Sequence, residues 1–203
     1  MSSHWSAVEK REEQGAWIFL ISLGVFFFSC VLLYGAYITL RTQEQASIQP
    51  FRIPAGFAIT TLNLLAISAV THAALFAIRK DDQKHFRKHL KIAFGLSVLF
   101  FVVQSFGMVE MMNDHLQPSS ALRNLYGLTF VLVIIHALHV IGGVVALGIL
   151  LRRDSLNAYS SHRNFPVKFC VMYWHFLDLV WLMMLACFAV AHFISKQPIN
   201  VGG

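Results

Sequence analysis

The chain has 203 residues, 57% of them hydrophobic and 13% charged, with a mean hydropathy of +0.61 and a formal net charge of +6. A soluble domain carries charge on about a quarter of its residues, so this chain lacks the charge to cover a water-facing surface. Composition excludes a soluble enzyme, a nucleic-acid binder and a disordered tail.

In chain order, Met1 to Gln14 is polar, with Glu9, Glu12 and Glu13 beside Lys10 and Arg11. Residues 1–15 read as a cytoplasmic N-terminal tail. Ala16–Leu40 then holds no charge. It is too long for the apolar region of a signal peptide and lacks a clean A-x-A site, so it is expected to stay as a first span. Ile53–Ile78, Ile92–Val109 and Leu125–Leu151 are also free of Lys, Arg, Asp and Glu, and Phe169–Ile194 holds only Asp178. A bilayer core of about 30 Å takes ~20 helical residues, so each run is long enough to cross. The spacing predicts an all-α integral membrane protein with five transmembrane helices over about 16–40, 53–78, 92–112, 125–151 and 169–194. Together they form one five-helix unit over residues 16–203.

Punctuation and charge agree with that division. Pro50, Pro118, Pro166 and Pro198 fall between or beyond the runs, and Pro54 stands at the very start of the second. No span has a proline kink site, and the broken helices of many secondary transporters are absent. Lysine and arginine are unevenly divided. The tail, the segment Arg79–Lys91 and the segment Arg152–Lys168 carry twelve, and the opposite side carries Arg41, Arg52, Arg123 and Lys196. By the positive-inside rule the N-terminus is expected in the cytoplasm and the C-terminus in the periplasm. The segment Arg79–Lys91 is expected to attract anionic lipid headgroups, with docking on a partner as the alternative.

Small residues recur at helical spacing in Ala69, Ala73 and Ala77, and again in Gly142 and Ala146. Such ridges allow close helix approach. Phe26, Phe27 and Phe28 cover every side of one turn, part of which is expected to meet lipid. Cys30, Cys170 and Cys187 form no C-x-x-C or C-x-x-C-H, which leaves neither a disulfide framework nor covalent haem attachment indicated.

Chemistry inside the spans rests on His72, His136, His139, His175, His192 and Asp178. Ionisable residues at membrane depth are costly and mark function by default. Haem or metal ligation would pair His136 or His139 with His175 across two helices. A proton path would need a relay across the whole bilayer, and Asp178 is the only carboxylate well inside a span. A buried polar network is the third reading. His136/His139 and His175/Asp178 are each three apart on one face, and an Asp paired with histidines of the fourth span would satisfy both. The residues weigh toward the network.

The segment Tyr173-Trp-His-Phe-Leu-Asp-Leu-Val-Trp181 resembles the Y-W-H-F-x-D-x-V-W signature of subunit III of haem-copper respiratory oxidases. Upstream, His136-Ala-Leu-His-Val-Ile-Gly-Gly143 resembles that family's H-G-L-H-V-x-x-G, and Gly15-Ala-Trp-Ile-Phe-Leu20 and Leu62-Asn-Leu-Leu65 also fit. The resemblance covers essentially the whole chain, in order. It implies a five-span bacterial inner-membrane subunit of a respiratory-chain oxidase, with no catalytic centre, haem or copper in this chain and both in partner subunits. Catalytic subunit I, other oxidase subunits and bound phospholipid are the implied partners, and nucleic acid is not among them. His136, His139, Trp174, His175, Asp178 and Trp181 become structural or lipid-associated positions. The complex would reduce oxygen and pump protons, and this chain would stabilise subunit I and support proton uptake.

The chain also departs from the family pattern. Leu23 follows Ser22 where a glutamate is usual, Gln104-Ser-Phe-Gly107 lacks the acid of Q-x-S-E, and Asn164–Lys168 lacks a carboxylate. Two alternatives stand beside the main reading: an accessory subunit of a quinol oxidase or nitric oxide reductase, and a b-type haem membrane cytochrome.

Overall fold

A computed structural model describes residues 2–42, 56–116, 123–154, 159 and 164–196. These form five helices and no strand: α1 (Ser2–Thr42), α2 (Gly56–Arg79), α3 (Gln83–Leu116), α4 (Arg123–Asp154) and α5 (Phe165–Lys196). Each contains a stretch long and apolar enough to cross a membrane: Lys10–Leu40, Gly56–Arg79, Gln83–Glu110, Gly127–Asp154 and Phe165–Phe193. The shortest, α2, has 24 residues and is ~36 Å long at 1.5 Å per residue, still more than the hydrocarbon core.

α1 continues through the polar tail as helix, because Ala, Glu, Lys, Arg and Gln are strong helix formers and no proline interrupts them. Pro50, Pro54, Pro118 and Pro198 lie outside the described residues. Pro166 sits in the first turn of α5, where a backbone N–H would have no helical partner anyway.

α2 and α3 are joined by a turn at Lys80–Asp82. Backbone bonds from Asp82 N–H to Ala77 C=O and from Asp81 N–H to Ile78 C=O close the end of α2, at 3.0 Å each. This Schellman arrangement places Asp81 in the left-handed region, at φ 55°. The next residue caps α3. Asp82 Oδ1 accepts the His85 backbone N–H at 3.1 Å, the usual N-cap bond to the third helical residue.

The contacts close α2, α3, α4 and α5 into a four-helix ring, with α1 packed against α4 and α5. Phe27, Tyr34, Phe57, Phe100, Trp174, Trp181 and Phe188 fill the interior. Leu33, Leu62, Phe106, Leu179 and Phe193 point outward from the bundle, as expected where lipid rather than water is the solvent. Phe26, Phe27 and Phe28 divide as their geometry requires, with Phe27 fully buried and its neighbours exposed.

The small-residue ridges are used only in part. Ala77 is buried but Ala69 is exposed, and in α4 it is Gly143 rather than Gly142 that lies inside.

The basic segments meet at one end of the bundle. Arg87 Nε donates to Asp154 Oδ2 at 2.7 Å, Gln83 Nε2 donates to Tyr159 C=O at 2.9 Å, and Lys168 pairs with Glu13. These bonds tie the start of α3 to the end of α4 and to Tyr159, and the start of α5 to α1.

Candidate functional site

α5 carries the nine-residue segment Tyr173–Trp181, and its side chains divide between two neighbouring helices. Successive residues of a helix are rotated by ~100°, so Trp174 and His175 cannot share a surface.

On the α4 side, Trp174 is fully buried and its indole lies over Gly143. A Cβ added there would come within 3.1 Å of the Trp174 ring and 3.4 Å of Leu177. Glycine suits this close approach, since any side chain there would have to displace the indole by a few tenths of an ångström. Tyr173 Oη donates to the His139 backbone C=O at 2.8 Å. His139 Nδ1 sits 2.7 Å from the Ile135 C=O of its own helix, and Phe27 of α1 packs edge-on against the His139 ring at 4.9 Å.

His136 is 1% exposed, with the Trp181 ring 5.3 Å away and the Phe27 ring at 6.2 Å. Neither of its ring nitrogens meets a hydrogen-bond partner among the described residues. The space beside the imidazole is occupied by aromatic carbon. Trp181 also spans the bundle, donating from Nε1 to Thr61 Oγ1 of α2 at 2.8 Å and packing on Phe57 at 5.2 Å.

On the α2 side the side chains are polar. His175 Nδ1 lies 2.5 Å from Ser68 Oγ, and the Ser68 hydroxyl also faces the Asp178 carboxyl. His175 Nε2 lies 3.4 Å from His72 Nδ1. A hydroxyl has one proton to give. With that proton directed toward Asp178, the chain runs from His72 N–H to His175, from His175 N–H to Ser68, and from Ser68 O–H toward Asp178. Ser68 and Asp178 are buried, while His72 and His175 face outward. Asp178 is 13 residues into α5, ~20 Å from the basic end by the helical rise.

This arrangement corrects the expected pairing. Asp178 does not join α5 to the histidines of α4; its partner is Ser68 of α2. Nor does His175 approach His136 or His139, because it lies on the other side of α5. Among the described residues no three His, Cys, Asp or Glu side chains converge as metal ligands. Ser68 carried no sequence signal of its own. Its place one turn before His72, in Ser-x-x-x-His on one helix face, was the available clue.

The family described as cytochrome c oxidase subunit III matches residues 1–191. The chain belongs to the cytochrome c oxidase subunit III family. Cytochrome c oxidase subunit 3 of pig (Sus scrofa) is 28% identical over 191 residues, covering 89% of this chain and 70% of the pig protein. Cytochrome c oxidase subunit 3 of Thermostichus vulcanus is 30% identical over 179 residues, 84% of this chain and 82% of that protein. A probable cytochrome c oxidase subunit 3 of Mycobacterium bovis is 32% identical over 136 residues, 66% of this chain and 64% of its own. As a subunit III, the chain is a component of an oxidase complex, which implies other oxidase subunits beside it in the membrane.

Proposed function

We propose that this chain is the non-redox subunit III of a proton-pumping cytochrome c oxidase in a bacterial inner membrane, with its N-terminus in the cytoplasm. It holds no haem or copper of its own; those groups belong to partner subunits. It stabilises catalytic subunit I, binds phospholipid and supports proton uptake.

One observation carries the reading. The segment Trp174 to Trp181 joins α5 to α2 and α4, with both tryptophans fully buried, His175 bonded to Ser68 and Trp181 bonded to Thr61. That is the build of a subunit that shapes a complex. Proton uptake is supported by the Ser68–His175–His72–Asp178 chain, and the cytoplasmic N-terminus by the basic residues gathered at one end of the bundle.

The test is purification of the complex from its host through a tag on this chain. A haem-containing large subunit oxidising cytochrome c is expected with it, and the chain alone should show no Soret band. A large subunit that oxidises quinol or reduces nitric oxide would move the assignment to those complexes. One equivalent of haem in the isolated chain would overturn it. Reporters fused after Gly203 and near Lys84 should read as periplasmic and cytoplasmic respectively, and the reverse would overturn the orientation.

A further inference from the structure

Gln83, Lys84, Arg87, Lys88 and Lys91 line a groove of about 510 Å³ at the basic end of α3. Lys84, Lys88 and Lys91 are exposed, and none has an ion-pair partner among the described residues. Arg87 is anchored at its base by the buried carboxylate of Asp154. Nearby, Asp82 is engaged by the His85 ring at 2.6 Å. The groove therefore presents three free ammonium groups beside one fixed guanidinium.

The same helical face continues into the membrane and changes character. Spacings of three and four from Lys84 and Lys88 through Lys91 lead to Gly95, Val98, Leu99, Val102 and Phe106. All five are exposed. A Cβ built on Gly95 would meet nothing within 4 Å, so the face has an open notch just below the lysines. From Lys91 to Val102 is eleven residues, or ~16 Å of helix rise, about half of a 30 Å hydrocarbon core. The stripe is thus cationic at its end and apolar for the depth of one leaflet.

We propose that this face binds one anionic phospholipid, with its phosphate among Lys84, Lys88 and Lys91 and an acyl chain running over Gly95 toward Val102. The site deepens the proposed lipid-binding role and rests on that reading. A soluble anion would use the lysines alone, and a soluble acidic protein would have no use for the apolar track. Head and tail together fit a lipid.

The test uses the full chain in detergent, with dioleoylphosphatidylglycerol or dioleoylphosphatidylcholine added and retained lipid counted by native mass spectrometry. Phosphatidylglycerol should be retained in preference to phosphatidylcholine. Each lysine near a headgroup is worth a factor of about five, so the triple variant Lys84→Gln, Lys88→Gln, Lys91→Gln should lose retention at least tenfold. Gly95→Leu should weaken retention with all the charges in place. Inorganic phosphate at millimolar concentration should leave the lipid bound. A triple variant that retains lipid like the wild type, an indifferent Gly95→Leu, or displacement of lipid by inorganic phosphate would each overturn the site. Thermal melts of the variants separate loss of lipid from loss of fold. Co-purification of the haem-containing subunit reports on the proposed function separately, since that result does not depend on lipid retained by the isolated chain.

Discussion

On the α4 side of α5, Trp174, Leu177 and Trp181 meet Gly143, His136 and Phe27, and most of the contact is carbon against carbon. On the α2 side, His175 and Asp178 meet Ser68 and His72, and the contact is made of hydrogen bonds. Both surfaces contain histidines three residues from another ionisable group, yet their energetics differ. The first depends on shape, where the loss of volume or the gain of one methyl is felt at once. The second depends on satisfying buried donors and acceptors, where a change of charge costs less than loss of a partner.

The comparison is broken most severely at Trp174. Trp174→Ala removes a fully buried indole and should cost about 3–5 kcal/mol, read as a large fall in the thermal midpoint in detergent. A small fall would mean that the α4 surface is not held by packing.

Asp178 tests the other side. Asp178→Leu leaves the Ser68 hydroxyl without the buried carboxyl it faces and should cost about 1–3 kcal/mol. It should also weaken recovery of the large subunit. Asp178→Asn keeps an acceptor and should lose less than half as much. Equal losses for Asn and Leu would show that charge, not hydrogen bonding, holds the α2 surface. A normally assembled Asp178→Asn complex with slowed proton uptake would assign the chain a proton-transfer role.

Two glycines sharpen the contrast. Gly143→Ala places a methyl 3.1 Å from the fully buried Trp174 indole, so overpacking of about 1–3 kcal/mol should outweigh the helix-propensity gain. Gly95→Ala meets open space and should stabilise α3 by up to about 1 kcal/mol. Chemical or thermal unfolding of the pair measures both, and the opposite ranking would mean that Trp174 shifts freely.

The smallest effects belong to the α2–α3 turn. Asp81→Gly relieves a left-handed aspartate and should stabilise by about 0.5–1 kcal/mol. The backbone and ring bonds from His85 hold the Asp82 carboxyl below its ordinary value of 3.8. A lowered folded-state value means that the cap stabilises above the ordinary aspartate range and fades as pH falls through the lower folded value. Asp82→Ala should therefore lower the melting midpoint at pH 7, and the difference from wild type should shrink below about pH 4. A difference independent of pH would show that the carboxylate is not the cap.

The five spans were legible because the bilayer imposes a length of apolar helix that no loop can mimic, and five uncharged or nearly uncharged runs met it. The segment Tyr173–Trp181 was legible as a resemblance, and the match across residues 1–191 agrees with it. Spacing also placed His175 and Asp178 on one face. What spacing could not say was which helix that face would meet. Helix period is local, set by backbone hydrogen bonds four residues apart, whereas the order of helices around a bundle depends on which surfaces interlock. Gly143 admits the Trp174 ring, and this turns His175 and Asp178 away from His136 and toward Ser68. Local composition was enough for the number of spans and for where each crosses, though not for the helical extension of α1 back to Ser2. Only the tertiary structure decided that Asp178 faces α2, because that choice is made by packing between residues more than a hundred positions apart.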